Sequence, residues 1–441
     1  MDKILQMALK EADAAEVFFI DRIMEPVIFE SNRVKAVERK QVRGLGLRVI
    51  REGRIGFSST SRLDDPEKVV KDAVAASEFS DPTNLEFGLA KPPASSPKVE
   101  DSEIQNLTVE DLVSEGQKMI KMVLGDFPEA KCDGEFSKEI TRISHMNSAG
   151  MSFSYLKTEI SGGLEVTLAS EGDILNVYNF NASARRDVPF EDMAGDIVKR
   201  LHMSQRIAAM KTGHFPVIFT PRAIVFLLAS LNPAFNGKIV LQGASPLRDK
   251  LGKKVFDEQL TVYDDGTLDY GSGSYPVDDE GVPTNRTPLI ERGVVCNFIY
   301  DLKTASLAGT RSTGNGFRIS RNGGWSFESQ PSPSSTNLVI EPGDASLEEM
   351  ISWVEEGLLV DQVLGAGQGN VLSGAFSMNV HLGFKIDHGK ISGRVKNTMI
   401  SGNLLESLQR IEAISDASEW AMGPYKVPAI MLGNVGVATG A

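Results

Sequence analysis

Apolar positions recur at helical spacing where the chain opens: Ile4, Leu5, Ala8, Leu9 and Ala12 fall on one face of MDKILQMALKEADAAEV. Short β-rich runs follow, EVFFIDRI, PVIFES and RVKAVERK. Residues 42–60, VRGLGLRVIREGRIGFSST, predict a hairpin that turns at Glu52-Gly53, with β-branched residues on both arms. Asp65-Pro66-Glu67 supplies a helix cap, a proline at the first helical position and an early acid. Residues 80–107 are rich in proline and serine with little periodicity, the pattern of a surface loop or linker. Thr108-Val109-Glu110-Asp111 has the form of a capping box, and Leu112, Met119, Ile120 and Val123 continue it as a helix. Residues 131–185 read as an antiparallel meander. Its turn signals are Asn147-Ser148-Ala149-Gly150, Ser161-Gly162-Gly163 and Glu171-Gly172-Asp173. A long amphipathic helix is expected from about Phe190 to Lys211.

A second half begins with the short strand HFPVIF and a helix started by Thr220-Pro221, AIVFLLASLNPAFNG over residues 223–237. Strands and glycine turns then alternate. LIERGVVCNFIY predicts a hairpin about Glu291-Arg292-Gly293, and MNVHLGFKIDHGKISGRV another about Asp387 to Lys390. Short helices are expected near 345–354 and 403–409. Strands come in blocks with helices between them, without a fixed repeat, so the fold class is α+β. A chain of 441 residues exceeds what one compact core supports. The expected division is an N-terminal α+β domain, 1–213, and a C-terminal α+β domain, 214–441.

Composition narrows the function classes. With 46 basic and 59 acidic residues the net charge is −13, and no long Lys/Arg run is present, which argues against direct nucleic-acid binding. No segment approaches the ~18 apolar residues of a membrane span, so no membrane association is expected. Two distant cysteines, Cys132 and Cys296, suit a reducing compartment, and a cytoplasmic location is the expectation.

Candidate chemistry is thin. No pair among the five histidines has the i, i+4 spacing that sets two imidazoles on one helix face for zinc. In the last hairpin Leu382, Phe384 and Ile386 share one face, His381 and Lys385 point the other way, and His388 sits in the turn. Val277-Asp278-Asp279-Glu280-Gly281 offers three adjacent carboxylates, suited to acid–base work, to a peptide contact or to a solvated turn. Asp264-Asp265-Gly266 reads as a hairpin turn. Arg311-Ser312-Thr313-Gly314-Asn315-Gly316 is a polar loop able to present backbone N–H groups, but it lacks the phosphate-cradle pattern. Gly365-Ala366-Gly367-Gln368-Gly369 likewise fails GxGxxG, and GxSxG is absent.

Several blocks in unbroken order resemble the TldD/PmbA family, described both as modulators of DNA gyrase and as metallopeptidases. They are VRGLGLRVIREGRIGFSSTSRL, FPVIFTP, LTVYDDGT, SYPVDDEGVPTNRTPLIERGVVCNFIYDLKTA, GTRSTGNGFR, VLGAGQGNVLSGAFS and IDHGKISGRVKNTMISGNLLESL. In that family the TldD type carries H-E-x-x-x-H on a helix, with the histidines on zinc, the glutamate as base and a late cysteine as a further ligand. The matching helix here is the one at 223–237. In a gap-free register the motif falls on Ala229, Ser230 and Ala234, and the cysteine at or near Met422. None of these can supply imidazole, thiolate or carboxylate.

The resemblance therefore implies a PmbA/TldE-type subunit, without zinc or any other cofactor of its own and inactive alone. Such a subunit forms, with a zinc-bearing TldD-type catalytic partner, a heterodimer that cleaves unfolded peptides in an enclosed cleft. Expected peptide contacts are Asp279, Glu280, Arg286, Ser312, Thr313 and Asn315. Two alternatives remain: an autonomous metallopeptidase using His381, His388 or Asp279, and a homodimeric regulatory protein linked to gyrase.

Overall fold

The computed structural model describes residues 1–88, 96–170, 172–319, 324–365 and 371–440. Part of the loop expected at 80–107, the turn residue Glu171 and most of the Gly365–Gly369 stretch lie outside the described residues. Helix α1 (Asp2–Ala8) buries Ile4, Leu5 and Ala8. Strand β1 (Ala14–Glu30) is continuous where the sequence pattern suggested separate runs. The reason lies in Pro26. Strand β2 (Arg33–Val37) and strand β3 (Lys40–Arg51) pair with the same edge of β1, β3 along residues 14–24 and β2 along 27–30. Pro26 falls between the two, where its missing N–H breaks no ladder. Strand β4 (Arg54–Thr60) returns from a turn with Glu52 and Gly53 at φ 50° and 67°. That is the two-residue hairpin geometry in which both central residues are left-handed.

Helix α2 (Pro66–Ser77) is capped by Asp65, which accepts from the Lys68 amide. Helix α3 (Ser102–Asn106) precedes α4 (Val109–Asp126), whose Thr108–Asp111 capping box forms as expected. The meander is β5 (Lys131–Asn147), β6 (Ser152–Ser170) and β7 (Asp173–Ser183). Ser161-Gly162-Gly163 is not a turn but the middle of β6. A Cβ at Gly162 would meet the Phe136 ring at 2.6 Å, and one at Gly163 the Asn179 carbonyl at 2.0 Å. These glycines permit close approach of neighbouring groups rather than chain reversal. Helix α5 (Phe190–Met203) ends short of Lys211, because the backbone of Arg206 and Ala208 leaves to bond Arg394.

The remaining elements are β8 (Gly213–Phe219), α6 (Pro221–Phe235), α7 (Gly237–Leu241), β9 (Val262–Asp265), β10 (Arg286–Glu291) and β11 (Val294–Val295). They continue with α8 (Leu302–Ala308), β12 (Gly316–Phe317), β13 (Ser332–Pro333), β14 (Leu338–Ile340), α9 (Leu347–Ser352) and β15 (Glu356–Leu364). The chain finishes with β16 (Ala375–Asp387), β17 (Lys390–Arg394), β18 (Thr398–Asn403), α10 (Leu404–Ser407), β19 (Ile411–Ala421) and β20 (Tyr425–Thr439). Arg292-Gly293 and His388-Gly389 repeat the left-handed pair seen at Glu52-Gly53.

Among the described residues the architecture is α+β, built on two large sheets and one small ribbon. The first sheet runs β4-β3-β1-β5-β6-β7 with β2 beside β1. In the second, β20, β18, β16, β15 and β8 close on themselves, since β8 pairs with β15 in parallel and with β20 antiparallel. From this ring the sheet extends through β14, β9, β10 and β11. Helix α6 leaves β8 and packs its apolar residues against β15, β19 and β20, with Ile224, Leu227 and Leu228 fully buried. A separate apolar core joins α4, α5 and the β5–β7 meander to Ile218, Leu382, Phe384 and Met431 of the second sheet. The two sheets thus share buried surface. No helix among the described residues is long and apolar enough to cross a membrane.

Candidate functional site

Helix α6 begins at Pro221 as its sequence signal indicates, but the Thr220 hydroxyl does not cap it. That hydroxyl bonds Asp361 of β15 at 3.1 Å, which also accepts from Arg222 and Arg200 at 2.8 Å each. Asp361 is buried; burial alone would raise its carboxyl, and the two guanidinium groups outweigh that and hold it low. The start of α6 is therefore pinned to β15 and α5 by charge. Its end is pinned by uncharged side chains. Asn236 caps α7 and donates to the Pro333 carbonyl at 2.7 Å, while Ser245 donates to the Ala234 carbonyl at 2.6 Å. Pro233 sits inside the last turn, and α6 still runs to Phe235.

Beside that last turn lies a cleft of about 380 Å³. Asn232, Pro233 and Asn236 form one wall, Ser334 to Thr336 a second, and Pro424 and Tyr425 a third. Asn232 reaches across to donate to the Tyr425 hydroxyl at 3.2 Å. Ala234 is buried, and Met422 is half-buried in the left-handed turn between β19 and β20. Ala229 and Ser230 lie on the α6 backbone, and their side chains are outside the described residues.

The acids singled out in the sequence hold this cleft from behind. Asp278 accepts from the Gly316 amide at 2.8 Å and Asp279 from the Arg318 amide at 2.7 Å, which fixes β12. Asp264 accepts from the Thr336 amide at 2.6 Å and from Asn315 at 2.6 Å, and Asn315 also donates to the Ser334 carbonyl. Neither carboxylate group is a solvated turn, as adjacent acids before glycine had suggested; both are buried. Burial pushes the Asp264 carboxyl up to about 6 and the Asp279 carboxyl up to about 7, against the hydrogen bonds that favour their ionised forms.

Glu280 faces the first sheet. Arg48 of β3 donates to Glu280 at 2.7 Å and, through Nε and Nη2, to both oxygens of Glu16 at 3.0 and 2.8 Å. Arg318, one residue past β12, donates to the same Glu16 at 2.8 Å, and His145 stands 3.2 Å from it. All five side chains are at or below 2 % exposure. Burial alone would raise the Glu16 carboxyl; Arg48, His145 and Arg318 together hold it well below the usual carboxylate range. The remaining oxygen of Glu280 accepts from the Leu302 amide at the start of α8. This network ties β1 and β3 to the loops behind the cleft.

The expected peptide contacts thus separate. Asp279, Glu280 and Asn315 are buried and bonded inward, so they present no surface to a peptide on this chain. Ser312 and Thr313 are half-buried against Tyr300, and Arg286 is exposed, stacked 3.7 Å over Tyr263 and paired with Glu341. His381 is half-buried on β16, and His388 is exposed beside Glu355. Sequence reasoning missed Glu16, Arg48, Arg318 and Asp361. The available signal was a charge at an alternation position facing the core: Glu16 in AAEVFF and Arg48 in LGLRVI are register partners across β1 and β3.

The family described as the PmbA/TldA metallopeptidase C-terminal domain matches residues 212–439, and PmbA/TldA metallopeptidase domain 1 matches residues 15–77. The chain belongs to the PmbA/TldD family. It is similar to TldE from Thermococcus kodakarensis, with a TM-score of 0.90, 25% identity and 99% of each chain covered. It is 27% identical to an uncharacterized protein of Methanocaldococcus jannaschii over 95% of each chain. A zinc metalloprotease TldD homolog of Saccharolobus solfataricus is 25% identical, over 92% of this chain and 91% of that one.

Zinc takes His, Cys, Asp or Glu donors. The cleft walls offer asparagine, proline, serine, threonine, tyrosine and aliphatic side chains, and the described residues hold no cluster of three such donors that could take a metal. The described residues beside α6 do not fit the ion.

Proposed function

We propose that this chain is a non-catalytic, PmbA/TldE-like subunit of a TldD/TldE-type zinc metallopeptidase that degrades or processes unfolded peptides in the cytoplasm. One observation carries the reading: the motif positions on the helix that would hold the metal are Ala229, Ser230 and Ala234, and the described walls of the cleft at its end offer no zinc donor. Zinc belongs to the TldD-type partner, where it would polarise the scissile carbonyl and activate water. The two chains form a heterodimer, and this chain alone forms at most a homodimer. Residues 1–213 and 214–441 serve as its two domains, coupled through Glu16, Arg48, Glu280 and Arg318. Arg286, Ser312 and Thr313 are the peptide contacts kept from the sequence reading; Asp279, Glu280 and Asn315 support the walls. Likeness to a TldE structure along 99% of the chain supports the assignment.

The test is reconstitution. The chain is purified alone and with a TldD-type subunit, sized by light scattering, and assayed on an unstructured peptide with zinc present. The expected result is cleavage by the mixed complex only. Chelator-sensitive cleavage by this chain alone overturns the proposal.

A further inference from the structure

One buried cation lies outside the Glu16 network. Lys157, in β6, is 5% exposed, and among the described residues no carboxylate forms an ion pair with it. Its ammonium is held instead by neutral groups of the second half. It donates to the Ser272 carbonyl and, at 3.2 Å, to the Ser274 carbonyl, and it lies 3.8 Å from the centre of the Tyr275 ring. Burial makes that ammonium easier to deprotonate, against the attraction of Glu159 on its own strand and Glu139 on β5, while Arg22 on β1 repels it. A charged donor on two carbonyls and an aromatic face is a stronger tie than a neutral one, and its loss would leave those carbonyls without a partner.

The loop that Lys157 grips, residues 269–275, is bound on its other side to the wall of the cleft. Its outer end is tied to the first half by backbone, with the Tyr270 carbonyl accepting from the Ala184 amide at 3.0 Å and the Tyr270 amide donating to the Lys98 carbonyl at 2.8 Å. Its inner turn is tied to the residue before β14. The Gly273 amide donates to Asn337 at 2.9 Å, and Asn337 donates to the Ser274 hydroxyl at 2.8 Å. The packing there is close: a Cβ at Gly273 would stand 2.6 Å from the Thr336 carbonyl. The Leu338 amide donates in turn to the Pro424 carbonyl at 3.0 Å, and Thr336, Leu338 and Pro424 all line the cleft.

We propose that Lys157 is a positioning residue for the cleft: its ammonium locks loop 269–275 between the first sheet and Asn337, so that the first sheet sets the placement of Thr336, Leu338 and Pro424. The inference rests on the peptide-handling reading only for what the cleft is used for; the lock itself stands without it.

The experiment is hydrogen–deuterium exchange on the full chain alone, without partner, zinc or peptide. Lys157→Met keeps the stem of the side chain and removes its charge. Exchange in residues 269–276 and 334–340 is expected to rise about tenfold over the parent, with α4 unchanged. Lys138→Met is the control: Lys138 is a mostly buried lysine on the opposite face of the same sheet, paired with Glu25 and donating to the Leu107 carbonyl. That substitution should leave both segments at the parent's rate. Lys157→Ala should loosen the same segments, and n-propylammonium, which replaces the missing stem and charge, should restore their protection where n-propanol does not. Unchanged exchange in Lys157→Met, loosening confined to 269–276, the same loosening in Lys138→Met, or equal rescue by n-propanol overturns the inference. Because partner, metal and peptide are absent, failure here leaves the heterodimer reading standing. Failed reconstitution of cleavage leaves the lock standing in the same way.

Discussion

Glu16→Gln removes a negative charge that two buried guanidinium groups share, while keeping the side chain's volume. Arg48 and Arg318 both donate to Glu16 at 2.8 Å, and Glu16 and Arg318 are fully buried. Arg48 keeps its direct bond to Glu280, whereas among the described residues the Arg318 guanidinium keeps a bond to the Ser329 carbonyl, the Phe18 and Phe57 rings, and the more distant charges of Asp279 and Glu280. Breaking a buried pair by removing one partner costs about 3–5 kcal/mol, because the other charge is left desolvated. An unfolding entropy of about 2.1 cal/mol/K per residue gives about 0.9 kcal/mol/K for 441 residues unfolding together. The expected drop in melting temperature is then about 3–5 °C by differential scanning calorimetry. A control is Lys68→Ala, which breaks the exposed pair with Asp72, worth about 0–1 kcal/mol. A Glu16→Gln melting point within 1 °C of that control would refute the argument that this network holds the two sheets together.

Three further outcomes follow from particular residues. Asp279 has a folded value of about 7, above the unfolded carboxyl, so the folded state holds its proton more tightly. Its contribution to stability is present at low pH and is lost as pH rises from about 4 through about 7. Between pH 5 and pH 8 the parent should therefore lose more thermal stability than Asp279→Asn; parallel melting curves would count against the assignment. Gly163→Ala places a Cβ 2.0 Å from the Asn179 carbonyl and should cost at least about 1–3 kcal/mol, read as a lower melting point or loss of soluble protein. Gly125→Ala meets nothing within 4 Å in α4 and should stabilise by about 0.5–1 kcal/mol in the same assay.

Most elements were legible because their signals are local. The Thr108–Asp111 box, the Asp65 cap and the three hairpins at Glu52-Gly53, Arg292-Gly293 and His388-Gly389 need only neighbouring residues, and all form. What local pattern could not separate was glycine as a turn from glycine as clearance. Gly162 and Gly163 are demanded by Phe136 and Asn179 on adjacent strands, which the β6 sequence alone does not contain. The same holds for the site. That α6 lacks donors could be read from Ala229, Ser230 and Ala234, whereas the burial of Asp279, Glu280 and Asn315 could not. Their partners lie 39 residues away for Asp279, 232 for Glu280 and 51 for Asn315, so the acids looked like a hydrated turn.

The chain is expressed alone, purified without chelator, and its zinc measured by inductively coupled plasma mass spectrometry after dialysis against trace zinc. Zinc well below one ion per chain is expected, with no change when Ala234 is replaced by leucine. One tightly held zinc per chain, lost on substitution in the last turn of α6, would contradict it.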